Sequence, residues 1–310
     1  MIIALACIYS IAIMLFTIVF LVDWIRSRKK IRKYLKYGLG VALTIFGLDL
    51  LLIIFVLFQE NYTLLAALIA EPIVLLRLFG FTMLGMYYAS EMGYPSFPML
   101  LKRFKIPIIN ESTQIVPEIK ENELSEDSFD VDPLPIQYEQ EPEKAPVGDI
   151  LLPTGLKKYL LLGLGGGVIS IIYSVILFLL TKPQMSDLMQ QRFGLPTTNP
   201  ENTITITVIL ALFEVSIAEE IIFRLGIQNF LAKYLKLQNN KYWIAIVITS
   251  ALWTLGHAGV MDPQWVKFVQ IFPIGLLLGW MNKKLGVEST IIAHAVMNLI
   301  LTPLSGYLIG

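Results

Sequence analysis

Tyr159–Leu180 reads YLLLGLGGGVISIIYSVILFLL, 22 residues without a charge. At 1.5 Å per residue this is about 33 Å of helix, against a hydrocarbon core about 30 Å thick. Backbone polar groups find no water at that depth and must be satisfied internally, so the segment reads as a spanning helix. Seven more stretches read the same way: Met1–Val22, Gly38–Phe58 and Leu64–Ala89 before it, then Thr203–Ile222, Trp243–Leu255, Val266–Met281 and Thr290–Leu308 after it. The last four are mostly shorter and more polar, which predicts helices shielded by protein rather than by lipid. The expected fold is all-α, a polytopic membrane protein with about eight transmembrane helices.

Composition agrees. Of 310 residues, 55% are apolar and 15% charged, and the mean hydropathy is +0.67. Soluble domains carry about 25% charged residues. A soluble enzyme, a disordered chain and a protein that binds nucleic acid through basic charge are excluded. The 24 basic and 24 acidic residues cancel, so bulk charge names no partner, and neither nucleic acid nor nucleotide is expected. Cys7 is the only cysteine, which rules out an internal disulfide and cysteine-rich metal sites.

Charge also sets orientation. No basic residue precedes Met1–Val22, so it lacks the start of a cleavable signal peptide. Arg26, Arg28, Lys29, Lys30, Arg32, Lys33 and Lys36 follow it. Positive loops stay cytoplasmic, so the first helix is expected to run from outside to inside, with both termini outside. Alternation then puts Lys102, Arg103, Lys105, Lys157, Lys158, Lys233, Lys236, Lys241, Lys283 and Lys284 inside, and only Lys182, Arg192 and Lys267 outside.

Residues 96–155 differ in kind. From Glu91 to Asp149 lie 13 acidic residues, and Pro107, Pro117, Pro133, Pro135, Pro142 and Pro146 break any long helix. The expectation is an exposed, flexible cytoplasmic linker. It joins an N-terminal three-helix unit, residues 1–95, to a five-helix unit, residues 156–310. Glycines in Gly163-Leu-Gly165-Gly166-Gly167 and in Gly275-Leu-Leu-Leu-Gly279 have the spacing that lets transmembrane helices approach closely. Asp49, Glu71 and Arg77 are polar at membrane depth without an assigned role, and Pro72 points to a kink beside Glu71.

An ionisable group in hydrocarbon costs at least about 2.5–3.5 kcal/mol, so each one needs a reason. In Ala218-Glu219-Glu220-Ile-Ile-Phe-Arg224, Glu220 and Arg224 lie at i and i+4 and share a helix face. Glu219 points about 100° away. Two adjacent carboxylates can thus take two roles, one neutralised by arginine and the other poised as a general base. Trp253-Thr-Leu-Gly-His257 places an aromatic ring and an imidazole one turn apart. His294-Ala-Val-Met-Asn298 places an imidazole and an amide one turn apart, a pair able to hold a water or an oxyanion. These are the only two histidines of the chain.

The ordered series Glu-Glu-x-x-x-Arg, aromatic-x-x-x-His and His-x-x-x-Asn resembles the CPBP family. That family comprises the CAAX prenyl endopeptidases of the Ras-converting type and related intramembrane proteases, some linked to bacteriocin processing or immunity. The matching positions are Glu219, Glu220 and Arg224, then Trp253 and His257, then His294 and Asn298, within residues 156–310. Tryptophan stands where the family's second motif usually has phenylalanine. The N-terminal helices and the linker match no motif.

The resemblance implies proteolysis of a membrane-associated or lipid-anchored protein or peptide, near the cytoplasmic boundary of the bilayer. Glu219 would activate a water, with Glu220 and His257 or His294 positioning it. His294 and Asn298 would stabilise the oxyanion, and Arg224 would hold the carboxylate pair. Two histidines and a glutamate are the ligand types of a His₂Glu zinc site, but no His-Glu-x-x-His spacing exists. The reading is therefore a glutamate-activated water with no obligatory cofactor, and zinc on Glu219, His257 and His294 is the alternative. A non-catalytic immunity or chaperone-like partner and a proton-coupled transporter are the competing functions.

One expectation conflicts with the rest. His257 falls about 22 Å along a span that begins inside, whereas Glu219, Glu220 and His294 fall toward the cytoplasmic side. Convergence requires the Trp243–Leu255 helix to begin below the surface, or residues 258–265 to be buried.

Overall fold

A computed structural model describes residues 2–57, 64–99, 156–186 and 206–309. Helix α1 (Ile2–Ile31) passes through a 3₁₀ turn (Arg32–Tyr34) into α2 (Leu35–Leu57), and α3 (Leu64–Glu91) follows. After the linker come α4 (Leu156–Thr181) and α5 (Ile206–Glu219). The latter continues without a break as a π-helix (Glu220–Gln228) and then α6 (Asn229–Tyr234). Helices α7 (Tyr242–Leu255), α8 (Gln264–Leu285) and α9 (Val287–Leu308) complete the chain. The only strands among the described residues are Gln184–Met185 and Met261–Asp262, paired antiparallel with Met185 opposite Met261. The fold is all-α.

Each of the eight apolar stretches falls within or against one of these helices. Cys7–Leu51, Lys157–Thr181 and Val287–Ser305 are long and apolar enough to cross a membrane. Leucine and isoleucine side chains cover their outer faces; Leu180 is 79% exposed and Leu161 66%, as a lipid-facing surface requires. Helix α3 runs on through Pro72.

Close packing is built on glycine. A Cβ on Gly163 would lie 2.9 Å from Ile292 Cβ, and one on Gly166 2.6 Å from Met281 Sδ, so the glycine run of α4 seats α8 and α9. Gly275 and Gly279 do the same for α8 against Ser250 and Ile246 of α7. Gly85 of α3 meets the π-helix, where an added Cβ would lie 2.5 Å from Leu225 O. One apolar core therefore runs through Phe20, Ile45, Phe81, Leu84, Ile221, Leu225, Trp253, Leu278 and Met297. Helices from both sides of the linker contribute to it.

Most of the expected linker lies outside the described residues. Ser96, Phe97 and Pro98 within it are buried rather than exposed. Ser96 O accepts from Val287 N at 2.9 Å, and Met99 N donates to Glu288 Oε2 at 2.6 Å. The chain leaving α3 is thereby fixed to the start of α9.

Two findings concern the helices of the site. The helix bearing the carboxylates does not end near Ile222 but runs from Ile206 to Tyr234. This places Glu219 midway along it, about 20 Å from either end. The cause is that every residue from Glu220 to Asn229 is buried, including polar ones that made the sequence look like a helix end. In residues 258–265, Gly259 and Met261 are buried while Asp262, Pro263 and Trp265 are exposed, so the stretch is not enclosed as a whole; the strand pair with Gln184–Met185 holds it against the chain that follows α4.

Candidate active site

The π-helix is the element that shapes the site. Its i→i+5 bonding is rare and frequently found at functional positions. Here it is clamped from outside by side chains of its neighbours. Asn282 Nδ2 donates to Arg224 O at 3.1 Å, Gln228 Nε2 to Gly279 O at 3.0 Å, and Tyr242 OH to Asn229 Oδ1 at 2.7 Å. Gln228, Asn229, Tyr242 and Asn282 were not singled out from the sequence. The adjacent amides Gln228-Asn229 in an otherwise apolar run were the available signal, since buried polar groups must find partners.

The two carboxylates sit at the junction of α5 and the π-helix and face different environments. Glu220 is fully buried. Its Oε1 accepts from His294 Nδ1 at 3.0 Å, and its Oε2 lies 3.5 Å from Arg224 Nε. Arg224 is also fully buried, with its guanidinium 4.9 Å over the Trp253 ring. A buried charge is tolerated only when paired, and Glu220 supplies that pairing. Glu219 retains 27% side-chain exposure. Its Oε2 accepts from Trp253 Nε1 at 2.6 Å. Tryptophan in place of phenylalanine thus adds a donor to this carboxylate.

His294 stands between the carboxylates. Glu220 Oε1 accepts, so Nδ1 donates, and Nε2 is left facing Glu219. That atom lies 3.9 Å from Glu219 Oε2. A water about 2.8 Å from each would subtend about 90°, an acceptable hydrogen-bond arrangement. Trp253 packs edge-on against both imidazoles, with ring centroids 5.2 Å from His257 and 5.3 Å from His294. His257 Nδ1 donates to Trp253 O at 2.9 Å, leaving Nε2 for another group, and the ring is close enough to Glu219 to feel its charge.

Six of the seven expected residues therefore gather around Trp253 and the carboxylate pair. Asn298 lies one turn beyond His294, where its Nδ2 donates to Ser216 Oγ at 3.1 Å. Ser216 is on α5, three residues before Glu219, so Asn298 flanks the same edge. Lys267, expected in an external loop, is instead in the first turn of α8, bonded to Gln270 Oε1 at 2.9 Å.

Among the described residues, no group of three or more His, Cys, Asp or Glu side chains comes together so as to hold a metal ion. Glu219 Oε2 and both imidazole Nδ1 atoms are engaged; the two Nε2 atoms and Glu219 Oε1 are the donors that a zinc ion would use there.

A membrane-embedded helical bundle with a sealed carboxylate, an accessible one beside it and two imidazoles defines the class. Residues 200–300, which contain all of these side chains, match the family described as Type II CAAX prenyl endopeptidase Rce1-like. The resemblance carried by the three motifs is shown over this segment, and with its apolar helices the chain is an integral membrane protein. The Sporulation-killing factor biosynthesis protein SkfC of Bacillus subtilis (strain 168) is 31% identical over 87 residues, which are 28% of this chain and 17% of SkfC. The chain thus spans under a fifth of the length of that relative. No solved structure matches.

Proposed function

We propose that this chain is an intramembrane endopeptidase that hydrolyses a peptide bond of a membrane-associated protein or peptide. The observation that carries the reading is the division between the carboxylates: Glu220 is closed in by Arg224 and His294, while Glu219 alone is exposed. Glu219 takes a proton from a water that Glu219 and His294 Nε2 hold between them. The resulting hydroxide adds to the carbonyl carbon. Glu219 returns the proton to the departing nitrogen as the C–N bond breaks, leaving a carboxylic acid and an amine. With Nδ1–H committed to Glu220, His294 positions water through Nε2 rather than stabilising the oxyanion. That task falls to Asn298, whose second amide hydrogen is not used by Ser216.

The rest of the reading follows the same lines. Eight helices cross the bilayer with both termini outside and the acidic linker in the cytoplasm. The three-helix and five-helix units remain the domain division, joined through one core. The chemistry requires no obligatory metal. The cut falls near the cytoplasmic boundary of the bilayer, and substrate reaches the site from the cytosol or laterally between helices. A peptide precursor fits, given the biosynthetic role in the name of SkfC. The test is cleavage of a labelled lipid-anchored peptide by purified protein, wild type beside Glu219→Gln. Equal turnover by the two proteins would refute the reading.

A further inference from the structure

A cavity of about 660 Å³ lies between α2, the carboxylate helix and α9. Its walls are apolar: Val41 of α2, Ile217 and Ile221 of the carboxylate helix, and Ile291 and Ile292 of α9. Gly40 and Thr44 of α2 also line it and are exposed, so it opens sideways toward the bilayer. The Thr44 hydroxyl is committed to Gly40 O at 2.9 Å and adds no polarity there.

The polar groups of this cavity gather where helices begin. Lys36 is in the first turn of α2 and Glu288 in the first turn of α9, and both line the cavity. The Lys36 ammonium is exposed to the surroundings of the helix and lies 5.2 Å over the Tyr37 ring. Glu288 is held in place by Met99 N, which donates to its Oε2 at 2.6 Å. A carboxylate accepts about four hydrogen bonds, so this one does not exhaust it. Tyr37 lines the cavity as well, and its hydroxyl is buried with no hydrogen-bond partner among the described residues. A buried hydroxyl is costly unless something bonds it. One cation, one anion and one unpartnered hydroxyl thus stand at the same end of an apolar cavity.

We propose that this cavity binds a resident membrane phospholipid whose headgroup carries a primary ammonium, as in phosphatidylethanolamine. One acyl chain fills the apolar part, along Ile217 and Ile221 on the back of the helix that bears Glu219 and Glu220. The lipid phosphate faces Lys36, the ammonium donates to Glu288, and Tyr37 donates to an ester oxygen. The volume lies within the range of ligand pockets, about 300–1,000 Å³. Basic pockets between helices at the bilayer surface take lipid phosphates, and here the added carboxylate selects a headgroup with a positive end. A headgroup bearing negative charge alone gains nothing at Glu288, and a quaternary ammonium has no N–H to give it. None of these three residues takes part in the proposed chemistry, so the inference stands apart from the endopeptidase reading.

The test uses the full chain, delipidated in detergent, and measures by native mass spectrometry the binding of phosphatidylethanolamine, phosphatidylcholine and phosphatidylglycerol with identical acyl chains. A hydrogen bond to a charged group predicts that the ethanolamine lipid binds about ten- to a hundredfold more tightly than the other two. Glu288→Gln keeps an acceptor for Met99 N and should bring the ethanolamine lipid down to the level of the choline lipid. Lys36→Met should weaken all three alike. A Cβ on Gly40 meets nothing within 4 Å, so Gly40→Trp folds without a clash, fills the cavity and should also weaken all three; it serves as the second variant should Glu288→Gln fail to fold. Equal binding of the three lipids by wild type overturns the proposal, as does an ethanolamine preference that survives in Glu288→Gln or in Gly40→Trp. Tightest binding of the glycerol lipid would also overturn it, leaving only attraction of anionic lipid to a basic surface. Dodecanol that competes as well as the ethanolamine lipid would make this an unselective apolar groove and would overturn it too.

Discussion

Replacing each carboxylate in turn separates stability from chemistry. In Glu220→Gln the amide oxygen can still accept from His294 Nδ1, but Arg224 loses the charge 3.5 Å from its Nε and remains fully buried. Breaking a buried pair by removing one partner costs about 3–5 kcal/mol, a large part of a typical net stability of about 5–15 kcal/mol. In Glu219→Gln the amide oxygen still accepts from Trp253 Nε1, the side chain is partly exposed, and no ion pair within 4 Å other than the 3.9 Å approach of His294 is disturbed. Its stability cost should stay below about 1 kcal/mol, while loss of a general base lowers turnover by about 10²–10⁴. The assays are denaturant titration of detergent-solubilised protein and cleavage of a fluorogenic lipid-anchored peptide. Glu219→Gln should unfold like wild type and be inactive, and Glu220→Gln should unfold far earlier. Equal destabilisation by both, or a Glu220→Gln protein as stable as wild type, would refute the assignment of one structural and one chemical carboxylate.

Three further outcomes are expected. Trp253→Phe keeps a ring against Arg224 and both histidines but removes the donor 2.6 Å from Glu219 Oε2; a bond to a charged group is worth about 1.5–3 kcal/mol, so kcat/KM should fall about tenfold or more, and an unchanged value would show that this bond plays no part. Exhaustive chelation should leave cleavage intact, whereas loss of activity restored by zinc alone would make Glu219, His257 and His294 ligands. Replacing residues 100–155 by a glycine–serine tether should leave cleavage of a neutral substrate within a few fold, and protease added to oriented vesicles should cut the linker only from the cytoplasmic face. Cutting from the opposite face would invert the topology.

Helix positions were legible because bilayer thickness imposes a length that charge-free runs such as Tyr159–Leu180 display directly. The glycine spacings in α4 and α8 were legible for a similar reason, since only a missing Cβ permits approaches such as Gly166 to Met281. Glu219, Glu220, Trp253, His257 and His294 stood out because ionisable and aromatic groups at fixed helical spacing are rare in apolar sequence. The end of the carboxylate helix was not legible. Polar Arg224, Gln228 and Asn229 look like a solvated terminus, and their burial depends on Asn282 and Tyr242, which are distant in sequence. Nor was the packing of Ser96–Met99, because the partners at Val287 and Glu288 follow nearly 190 residues later. Spacing alone placed Asn298 beside His294, yet its bond to Ser216 depends on how α9 meets α5.

The π-helix explains why adjacent residues of one chain come to such different surroundings. A helix that stayed regular beyond Glu219 would carry both carboxylates on a uniform spiral, and the neighbours would have to separate them. The wider turn begins at Glu220, at the boundary between the two side chains. From that point every residue as far as Asn229 is enclosed, with α3 pressed against the turn through Gly85 and Leu225. Helix α3 belongs to the N-terminal part that lacks any family motif, so this part takes a share in holding the site's geometry. Widening Gly85 to leucine should therefore disturb Glu220 and Arg224 before it reaches Glu219. Such a variant would lose stability in the manner of Glu220→Gln. If it instead unfolded like wild type with normal turnover, the π-helix would be held by α7 and α8 alone.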